Sequence, residues 1–387
     1  MFKAATTFGL LAAILIAPAM VTAQTTPPPK ARPFEVGIWL NRHIMAKGEE
    51  AIVGFLDEAQ KRGLTAVFPN YWFHGYVIYP GSKFVKQHPD FVGRDPLGIV
   101  IREAHARGIK VYPWAEYGFF THYNYTDDQS DVGYILQGHP DWITRNREGR
   151  VALHNPKQNF SHYSLNPAHP EARAFLSQVL LEVMFKYPDA DGLHLDRIRY
   201  QAAEFSYDDF SRTAFKKEFG IDPLDIATTD SASQKQWADW RTRQVDQFME
   251  LIARDYRARF PDKPMTAAVI PPYLQDEKFQ RWEHWAAEGN LDVAMPMLYG
   301  GVDLVRKELG KALAELPKGF SVWAGIDASM GEDGLAQAID AGKEMGATGV
   351  VLWDDQKFLE QKLDFTRWTG RTSARPATTQ PTRRPNF

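Results

Sequence analysis

The sequence predicts an α/β protein, a (β/α)8 TIM barrel with long loops after strands 3 and 4. Eight apolar runs of strand length follow one another along the chain, and helical patterns separate many of them. At three of these junctions, a glycine stands where a helix ends and a strand is about to begin. Strands and helices that alternate in this way favour a parallel sheet, and eight such units favour closure into a barrel.

The eight predicted strands are runs rich in apolar and aromatic residues. They span residues 34–40, 64–72, 109–117, 192–200, 265–271, 291–299, 321–328 and 349–354. The predicted helices carry the longer period of an amphipathic helix. They span residues 49–62, 96–107, 234–260, 277–288, 302–316 and 332–345.

Glycines 63, 108 and 346 are the ones that separate a helix from the next strand. An open, doubly wound parallel sheet is the main alternative fold. That fold carries a glycine-rich phosphate loop after its first strand. Here residues 40–43 read Leu-Asn-Arg-His instead, which disfavours the open sheet.

Two connections are much longer than the others: residues 118–166 after strand 3 and residues 201–233 after strand 4. Both leave the carboxyl ends of strands, where barrels build their active sites. The first is rich in aromatic residues and histidines, so we expect it to form the wall of a cleft.

The two ends of the chain read differently from the barrel, which is predicted to span residues 34–371. Residues 1–23 have the charged start, apolar centre and small-residue end of a signal peptide. An uncleaved membrane anchor is the competing interpretation, but the apolar run is short and Pro18 interrupts it. Residues 24–33 read as a Pro-rich linker and residues 372–387 as a disordered Pro/Thr/Arg tail. We therefore expect a periplasmic or secreted protein with no stable membrane span after cleavage.

The composition is that of a soluble globular protein, with 44% hydrophobic and 24% charged residues. A net charge of -3 and the absence of a basic stripe disfavour nucleic-acid binding. The chain has no cysteine, so the fold contains no disulfide. Aromatic residues reach 13%, and surplus Trp and Tyr side chains suit the flat faces of sugar rings.

Residues 191–200, Asp-Gly-Leu-His-Leu-Asp-Arg-Ile-Arg-Tyr, are the most informative segment. Because alternate residues of a strand share a face, His194 and Asp196 project together while Leu193 and Leu195 pack on the other side. An acid at the carboxyl end of a buried strand is typical of a catalytic barrel. A core strand that ends in a solvated Asp-Arg pair is the alternative interpretation.

Carboxylates and aromatic residues dominate the predicted strand exits. Cleavage of a glycosidic bond requires two carboxyl groups, one as acid and one as nucleophile or base. Asp196 is the predicted nucleophile or charge stabiliser. Glu116, which shares a face with Trp114, is the predicted acid/base, since an aromatic pocket raises the pKa of a carboxyl group. Asp354 is the reserve catalytic residue, although it could instead pair with a nearby arginine.

The remaining polar and aromatic side chains at the strand exits are predicted to bind the substrate. They are Trp72, Trp114, Tyr117, His194, Arg199, Tyr200, Tyr299, Asp327 and Trp353. Asp327 has a competing structural interpretation, because it could cap the helix that follows.

Other chemistries lack the residues they need. The chain has no cysteine nucleophile and no Gly-x-Ser-x-Gly turn. His194 and Asp196 could supply two metal ligands. However, no His-x-His or His-x-x-x-His pair accompanies them to complete a metal site. The sequence therefore predicts neither a metal nor a cofactor.

Several segments make the chain resemble the glycosyl-hydrolase-like 10 family. They are 34–40 (FEVGIWL), 75–82 (GYVIYPGS), 103–109 (EAHARGI), 164–167 (SLNP), 191–200 (DGLHLDRIRY) and 295–299 (MPMLY). The resemblance covers residues 32–358 and implies a (β/α)8 barrel that hydrolyses a glycan, with bacterial cell-wall glycan as the leading substrate. It also implies that Asp196 is the acid of strand 4. Many members place a second acid directly after it, and this chain has Arg197 there.

These observations predict an exported glycoside hydrolase whose partner is a glycan. The first alternative is a non-catalytic carbohydrate-binding barrel without a working second carboxylate. The second is a barrel isomerase or aldolase for phosphorylated sugars. That enzyme needs a phosphate site near strands 7 and 8, for which residues 329–331 (Ser-Met-Gly) are a weak match.

Overall fold

A computed structural model describes residues 33–157 and 159–371 of the chain. The predicted signal peptide, the predicted tail and all of the predicted linker except Pro33 lie outside the described residues. The predicted limits of the barrel stay a prediction.

The barrel strands follow the predicted order, but most are shorter than predicted. Strand 3 consists of two segments, because Tyr112 and Pro113 interrupt it, and the proline has no N–H to donate. The strands are Glu35–Leu40, Ala66–Pro69, Lys110–Val111 with Trp114–Ala115, Leu193–Leu195, Met265–Val269, Val293–Pro296, Ser321–Asp327 and Gly349–Trp353.

Parallel pairing closes these strands into a barrel. Strand 1 pairs with strands 2 and 8, and strands 4 to 8 pair in chain order. The first segment of strand 3 pairs with strand 2, and its second segment pairs with strand 4. The ring is therefore complete, which confirms the (β/α)8 prediction and excludes the open doubly wound sheet.

Helices cover the outside of the barrel, and several begin at side-chain caps. Asp95 accepts a hydrogen bond from the Gly98 N–H, and Asp230 from the Ser233 N–H, which satisfies N–H groups that have no partner within their helix. The longer helices are Glu49–Lys61, Pro96–Ala106, Pro170–Lys186, Asp209–Phe219, Ser231–Arg257, Val302–Glu315 and Gly331–Met345.

Shorter helical segments complete the described chain. The predicted helix 277–288 is divided in two at Phe279, whose backbone is left-handed (φ 54°). The short helices are Arg42–Ala46, Gly133–Gly138, Gln275–Lys278, Trp282–Ala287, Asp355–Glu360 and Thr366–Thr369. Single 3-10 turns span Pro89–Phe91, Pro140–Trp142, Pro223–Asp225, Pro272–Leu274 and Ala328–Met330.

The barrel has one apolar core inside the ring of strands and a larger one between the strands and the helices. Leu193 and Leu195 belong to the outer core, whereas Trp114 on the neighbouring strand belongs to the inner core. The His194 ring packs against Phe68 of the inner core, with centroids 4.7 Å apart, which confirms the alternation predicted for strand 4. The inner core is mainly aromatic: Trp39, Ala66, Phe68, Tyr112, Trp114, Ala268, Met295, Trp323 and Val351.

The long connections fold into structures of their own. The connection after strand 3 contains an antiparallel sheet, in which Phe160–Ser164 lies between Phe120–Asn124 and Ala152–Asn155. The connection after strand 4 contains the helix Asp209–Phe219. A small hairpin of Trp72–Phe73 and Tyr76–Val77 follows strand 2. In residues 33–157 and 159–371, no helix has the length and apolar character needed to cross a membrane.

Candidate active site

Glu116 and Asp196 leave neighbouring strands at the same level of the barrel. His194 pairs with Trp114 and Leu195 pairs with Ala115 in parallel register. Glu116 and Asp196 are therefore the next residues on the two strands. Since alternate residues share a face, both side chains continue the inward-facing positions of Trp114 and His194. The register brings together the two residues predicted to be catalytic.

Two donors hold the carboxylate of Asp196. The Trp114 indole N–H donates to its Oδ2 (3.2 Å), and the Arg197 backbone N–H donates to its Oδ1 (2.5 Å). The residue is only 5% exposed. Burial raises the pKa of Asp196 to about 6, while the positive charges of Arg197 and Arg199 and the two hydrogen bonds act in the opposite direction.

Glu116 is held between an amide and a guanidinium. Asn70 donates a hydrogen bond from its Nδ2 to Glu116 Oε2, and Arg197 Nη2 lies 3.6 Å from Oε1. Glu116 is 7% exposed. Burial raises its pKa to about 7, Arg197 lowers it, and the negative charge of Asp196 raises it further. The neighbouring carboxylate therefore favours a proton on Glu116.

The backbone at the exit of strand 4 brings Arg197 towards Glu116. Arg197 has a left-handed backbone (φ 50°), which is uncommon outside glycine, and its guanidinium lies over the Tyr117 ring at 4.4 Å. A Cβ on Gly118 would lie 2.2 Å from the Asp196 carbonyl oxygen. Gly118 therefore permits the close approach of the two strand exits.

The two acids open into a small cavity of about 190 Å³ at the mouth of the barrel. Its walls combine the two carboxyl groups with two guanidinium groups and several aromatic rings. The lining residues are Trp39, Trp114, Glu116, Asp196, Arg197, Arg199, Met297, Tyr299 and Trp353.

Aromatic rings form one wall of this cavity. The Tyr299 and Trp353 rings stack with centroids 6.4 Å apart, and the Trp39 and Trp114 rings lie 6.2 Å apart. The predicted residues Trp114, Tyr299 and Trp353 are therefore brought together. Their flat, partly apolar surface is chemically suited to the C–H faces of a sugar ring.

Three lining residues were not among the predicted site residues. Trp39 and Met297 stand at the ends of strands 1 and 6, so the alternation that selects Trp114 could have selected them too. Arg197 could not have been found in this way. Strand 4 ends at Leu195, and the alternation of side chains ends with it.

His194 lies inside the barrel and supports the cavity wall. Its Nε2 accepts a hydrogen bond from the Trp39 indole N–H (2.9 Å), and its Nδ1 lies 2.7 Å from Thr266 Oγ1. Because an indole can only donate, we assign the ring proton to Nδ1. Burial lowers the pKa of His194 to about 3, so the ring is neutral. His194 is fully buried and therefore positions Trp39.

Three other predicted substrate-binding residues are not part of the described lining of the cavity. Trp72 is fully buried and donates from Nε1 to the Gly118 carbonyl (3.1 Å). Tyr200 is 1% exposed, and its hydroxyl accepts from Ser206 (3.3 Å). Tyr117 packs under Arg197, and its hydroxyl lies 3.1 Å from His74 Nε2. Their contacts support the loops around the site.

Asp354 and Asp327 cap the segments that follow strands 8 and 7. Asp354 accepts from the Lys357 N–H (3.0 Å), and Asp327 accepts from the Ser329 N–H (2.7 Å). The pKa of Tyr299 is raised mainly by burial and next by the negative charge of Asp196. The charges of Asp327 and Asp354 raise it further. The capping role weighed for Asp327 is therefore present, and both residues act on the cavity through their charge.

A larger groove of about 790 Å³ lies outside the barrel, where the helices Pro170–Lys186 and Ser231–Arg257 contribute to its walls. None of the predicted site residues belongs to its described lining. The described residues also hold no group of three His, Cys, Asp or Glu side chains placed to share a metal ion. The cavity at the barrel mouth combines two carboxyl groups with aromatic side chains.

Comparison with known proteins gives a family match over most of the chain. The family described as Glycosyl hydrolase-like 10 matches residues 37–312. The glycosyl hydrolase YngK of Bacillus subtilis is 26% identical over 280 residues, covering 66% of this chain and 49% of that protein. The glycosyl hydrolase DigH of Escherichia coli K12 is 23% identical over 283 residues, covering 65% and 58%. The chain thus spans about half the length of the curated relatives it matches.

Solved structures show the same fold. The PgaB (BpsB) glycoside hydrolase domain from Bordetella bronchiseptica aligns with a TM-score of 0.63 and 14% identity, covering 85% of this chain and 96% of that one. The catalytic domain of β-amylase from Paenibacillus polymyxa aligns with a TM-score of 0.64 and 12% identity, covering 87% and 98%. At these identities, the likeness supports the barrel and carries no assignment of residues.

Proposed function

The chain belongs to the Glycosyl hydrolase-like 10 family, and from that premise we propose that it is an exported glycoside hydrolase of bacterial cell-wall glycan. The observation that carries the proposal is the register that places Glu116 beside Asp196 at the barrel mouth. Glycoside cleavage needs two such carboxyl groups, one protonated and one ionised.

Glu116 is the general acid of the proposed mechanism. Burial and the neighbouring Asp196 favour its protonated form, with a pKa of about 7. It gives its proton to the glycosidic oxygen as the bond to the anomeric carbon breaks. Asn70 and Arg197 hold the carboxyl group in place for this transfer.

Asp196 is the nucleophile. Its pKa of about 6 leaves it ionised at neutral pH, and two hydrogen bonds fix its oxygens. Retaining enzymes hold their two carboxyl groups ~5–5.5 Å apart, closer than the ~6.5–9.5 Å of inverting ones, and the parallel register brings Glu116 and Asp196 to neighbouring positions. We therefore propose a retaining reaction with a covalent glycosyl-Asp196 intermediate. In the second step Glu116 takes a proton from the water that releases the sugar.

The cell-wall substrate and export rest on the sequence. The resemblance to the family implies bacterial cell-wall glycan, and residues 1–23 read as a signal peptide. An exported protein of that kind meets the cell wall in the compartment where it acts.

Product analysis tests the proposal. The protein is incubated separately with peptidoglycan strands and with plant and storage polysaccharides, and the released sugars are identified. We expect new reducing ends from the peptidoglycan strands. The Asp196→Asn variant should lose activity by on the order of 10⁴-fold or more while keeping its fold and nearly all of its glycan binding. Asp276→Asn is the matched control, since that side chain is 94% exposed.

The outcomes separate the enzyme from a carbohydrate-binding barrel. Cleavage by the natural protein that disappears in Asp196→Asn supports the hydrolase. Full turnover by Asp196→Asn removes this residue from the catalytic role. Glycan binding without new reducing ends, by the natural protein and the variant alike, supports the binding module.

A further inference from the structure

Arg199 places a positive charge on the cavity wall without a matching carboxylate. Its Nη1 donates a 3.3 Å hydrogen bond to the Tyr200 carbonyl oxygen. Its Nε is buried and has no hydrogen-bond partner among the described residues. Within residues 33–157 and 159–371, no Asp or Glu oxygen comes within 4.0 Å of this guanidinium. The adjacent Arg197, by contrast, is paired with Glu116.

The nearby acids are engaged elsewhere. Asp196 and Glu277 both act on Arg199 through their charge. The Asp196 oxygens accept from Trp114 and from the Arg197 backbone, and Glu277 pairs with Lys278 at 2.6 Å. Burial and the charge of Arg197 lower the pKa of Arg199 to about 10, which still leaves it positive at neutral pH.

An unpaired guanidinium at this position is costly for the fold. A buried donor without a partner costs about 1–3 kcal/mol, and more for a charged group. The Phe120 ring, 5.4 Å below the guanidinium, supports the side chain without neutralising it. When Glu116 carries its proton and Asp196 is ionised, the charged groups of the lining are one carboxylate and two guanidinium groups. The lining itself therefore has one more positive than negative charge.

We propose that Arg199 binds a carboxylate carried by the sugar substrate, so that the site selects acidic glycans. This inference rests on the proposed function, because it names the substrate class of the same cavity. A carboxylate carries the single negative charge that the lining lacks. Its two oxygens also match two parallel N–H groups of a guanidinium.

Paired substrates test the inference. One substrate is a preparation of soluble glycan strands with free carboxylates. The other is the same preparation after chemical reduction of the carboxylates to alcohols. We compare kcat/KM for the natural protein, Arg199→Gln, Arg199→Lys and the surface control Arg306→Gln, whose side chain is 48% exposed. Binding of both glycans is measured by calorimetry on the same proteins.

We expect the natural protein and the control to prefer the carboxylated glycan by about 10- to 100-fold, the range of one charged hydrogen-bonded contact. Arg199→Gln should lose this preference, so that its kcat/KM values on the two glycans become equal, and Arg199→Lys should keep part of it. A preference that survives in Arg199→Gln would overturn the inference, as would equal kcat/KM values on both substrates in the natural protein.

The calorimetry distinguishes this inference from the proposed function. Tighter binding of the carboxylated glycan that depends on Arg199, without cleavage of either glycan, supports the inference and contradicts the hydrolase. Cleavage of both glycans that does not depend on Arg199 supports the hydrolase and contradicts the inference about Arg199. Thermal unfolding of Arg199→Gln should occur at or above the temperature found for the natural protein, since the substitution removes a buried donor that has no partner among the described residues.

Discussion

Glu116 and Asp196 stand side by side because the residues before them, Ala115 and Leu195, pair in parallel register. Their charges therefore interact directly, and the negative charge of Asp196 raises the pKa of Glu116. Arg197 acts on both, since its positive charge lowers both pKa values. Burial is the largest cause of both raised pKa values, and the charges of these residues then adjust which carboxyl group carries the proton.

The first prediction concerns the pH dependence of glycan cleavage. In the proposed mechanism, activity requires Asp196 without its proton and Glu116 with its proton. The pKa values of about 6 and about 7 then give a narrow bell-shaped profile of kcat/KM, with its limbs near those values. The limbs belong to the pair rather than to either residue alone. A profile that is flat from pH 5 to pH 8 would contradict this assignment.

Arg197→Met provides an internal check on that profile. Because Arg197 lowers both pKa values, its removal should move both limbs to higher pH, by on the order of one pH unit. Arg102→Met is the control, since that side chain is 55% exposed at the surface. Movement of only one limb would show that Arg197 acts on a single carboxyl group.

The second prediction concerns stability. The pKa of Glu116 is raised from 4.5 to about 7 by folding, so the folded protein keeps a proton that the unfolded chain has lost between these values. The free energy of unfolding therefore falls as pH rises through this window. Glu116→Gln removes this dependence, so the variant should gain stability relative to the natural protein, by on the order of 3 kcal/mol between pH 4.5 and 7.5.

Urea unfolding at pH 4.5, 6 and 7.5 measures this effect. The relevant quantity is the change with pH in the difference between the two proteins, since differences in packing between Glu and Gln add a constant that does not vary with pH. A difference that stays the same at all three values would mean that the pKa of Glu116 is not raised in the folded protein.

Much of the site could be predicted from the alternation of side chains along buried strands. Glu116, Asp196 and Trp114 share the inward face of neighbouring strands, and the structure confirms that placement. In a regular strand, alternate side chains point to the same face, so the sequence determines which residues face inward. The order of strands along the chain is similarly robust, because the closed barrel follows from the alternation of strands and helices.

The rest of the site depends on tertiary contacts, which the alternation of side chains along a strand cannot reveal. Arg197 reaches Glu116 because the backbone turns left-handed directly after strand 4. Trp72 and Tyr200 look equally suitable for sugar binding in the sequence, but the packing of the long connections buries them. Asp354 is an acid at a strand exit whose side chain caps the next helix. In each case, the surroundings rather than the residue type decide what the side chain contacts.

The third prediction concerns His194, whose neutral ring holds Trp39. Folding lowers its pKa from 6.5 to about 3, so the unfolded chain takes up a proton that the folded protein refuses. Stability from this residue is therefore complete above pH 6.5 and is lost as pH falls towards 3. His194→Gln keeps a neutral acceptor and donor, so the natural protein should lose on the order of 3 kcal/mol relative to this variant between pH 7 and pH 4.

Unfolding midpoints at the two pH values measure the effect. The variant should be the less stable protein at pH 7, because glutamine fills the barrel interior less well than an imidazole ring. Its disadvantage should shrink or reverse at pH 4. An unchanged gap would show that His194 also carries its proton in the folded protein.

The last prediction concerns Gly118, which allows the exits of strands 3 and 4 to approach. Gly118→Ala adds a Cβ 2.2 Å from the Asp196 carbonyl oxygen, at a backbone φ of 44°. Gly149→Ala is the matched control. Its φ of 83° is also positive, but its added Cβ meets nothing within 4 Å among the described residues.

The control, Gly149→Ala, should cost about 1 kcal/mol for the left-handed backbone alone. Gly118→Ala should cost about 1–3 kcal/mol more, since the clash is with backbone rather than a flexible side chain. It should also lower kcat more than it raises KM, because separating Asp196 from Glu116 disturbs the reacting groups. Equal losses of stability and equal kcat values in the two variants would show that Gly118 does not fix the distance between the two carboxyl groups.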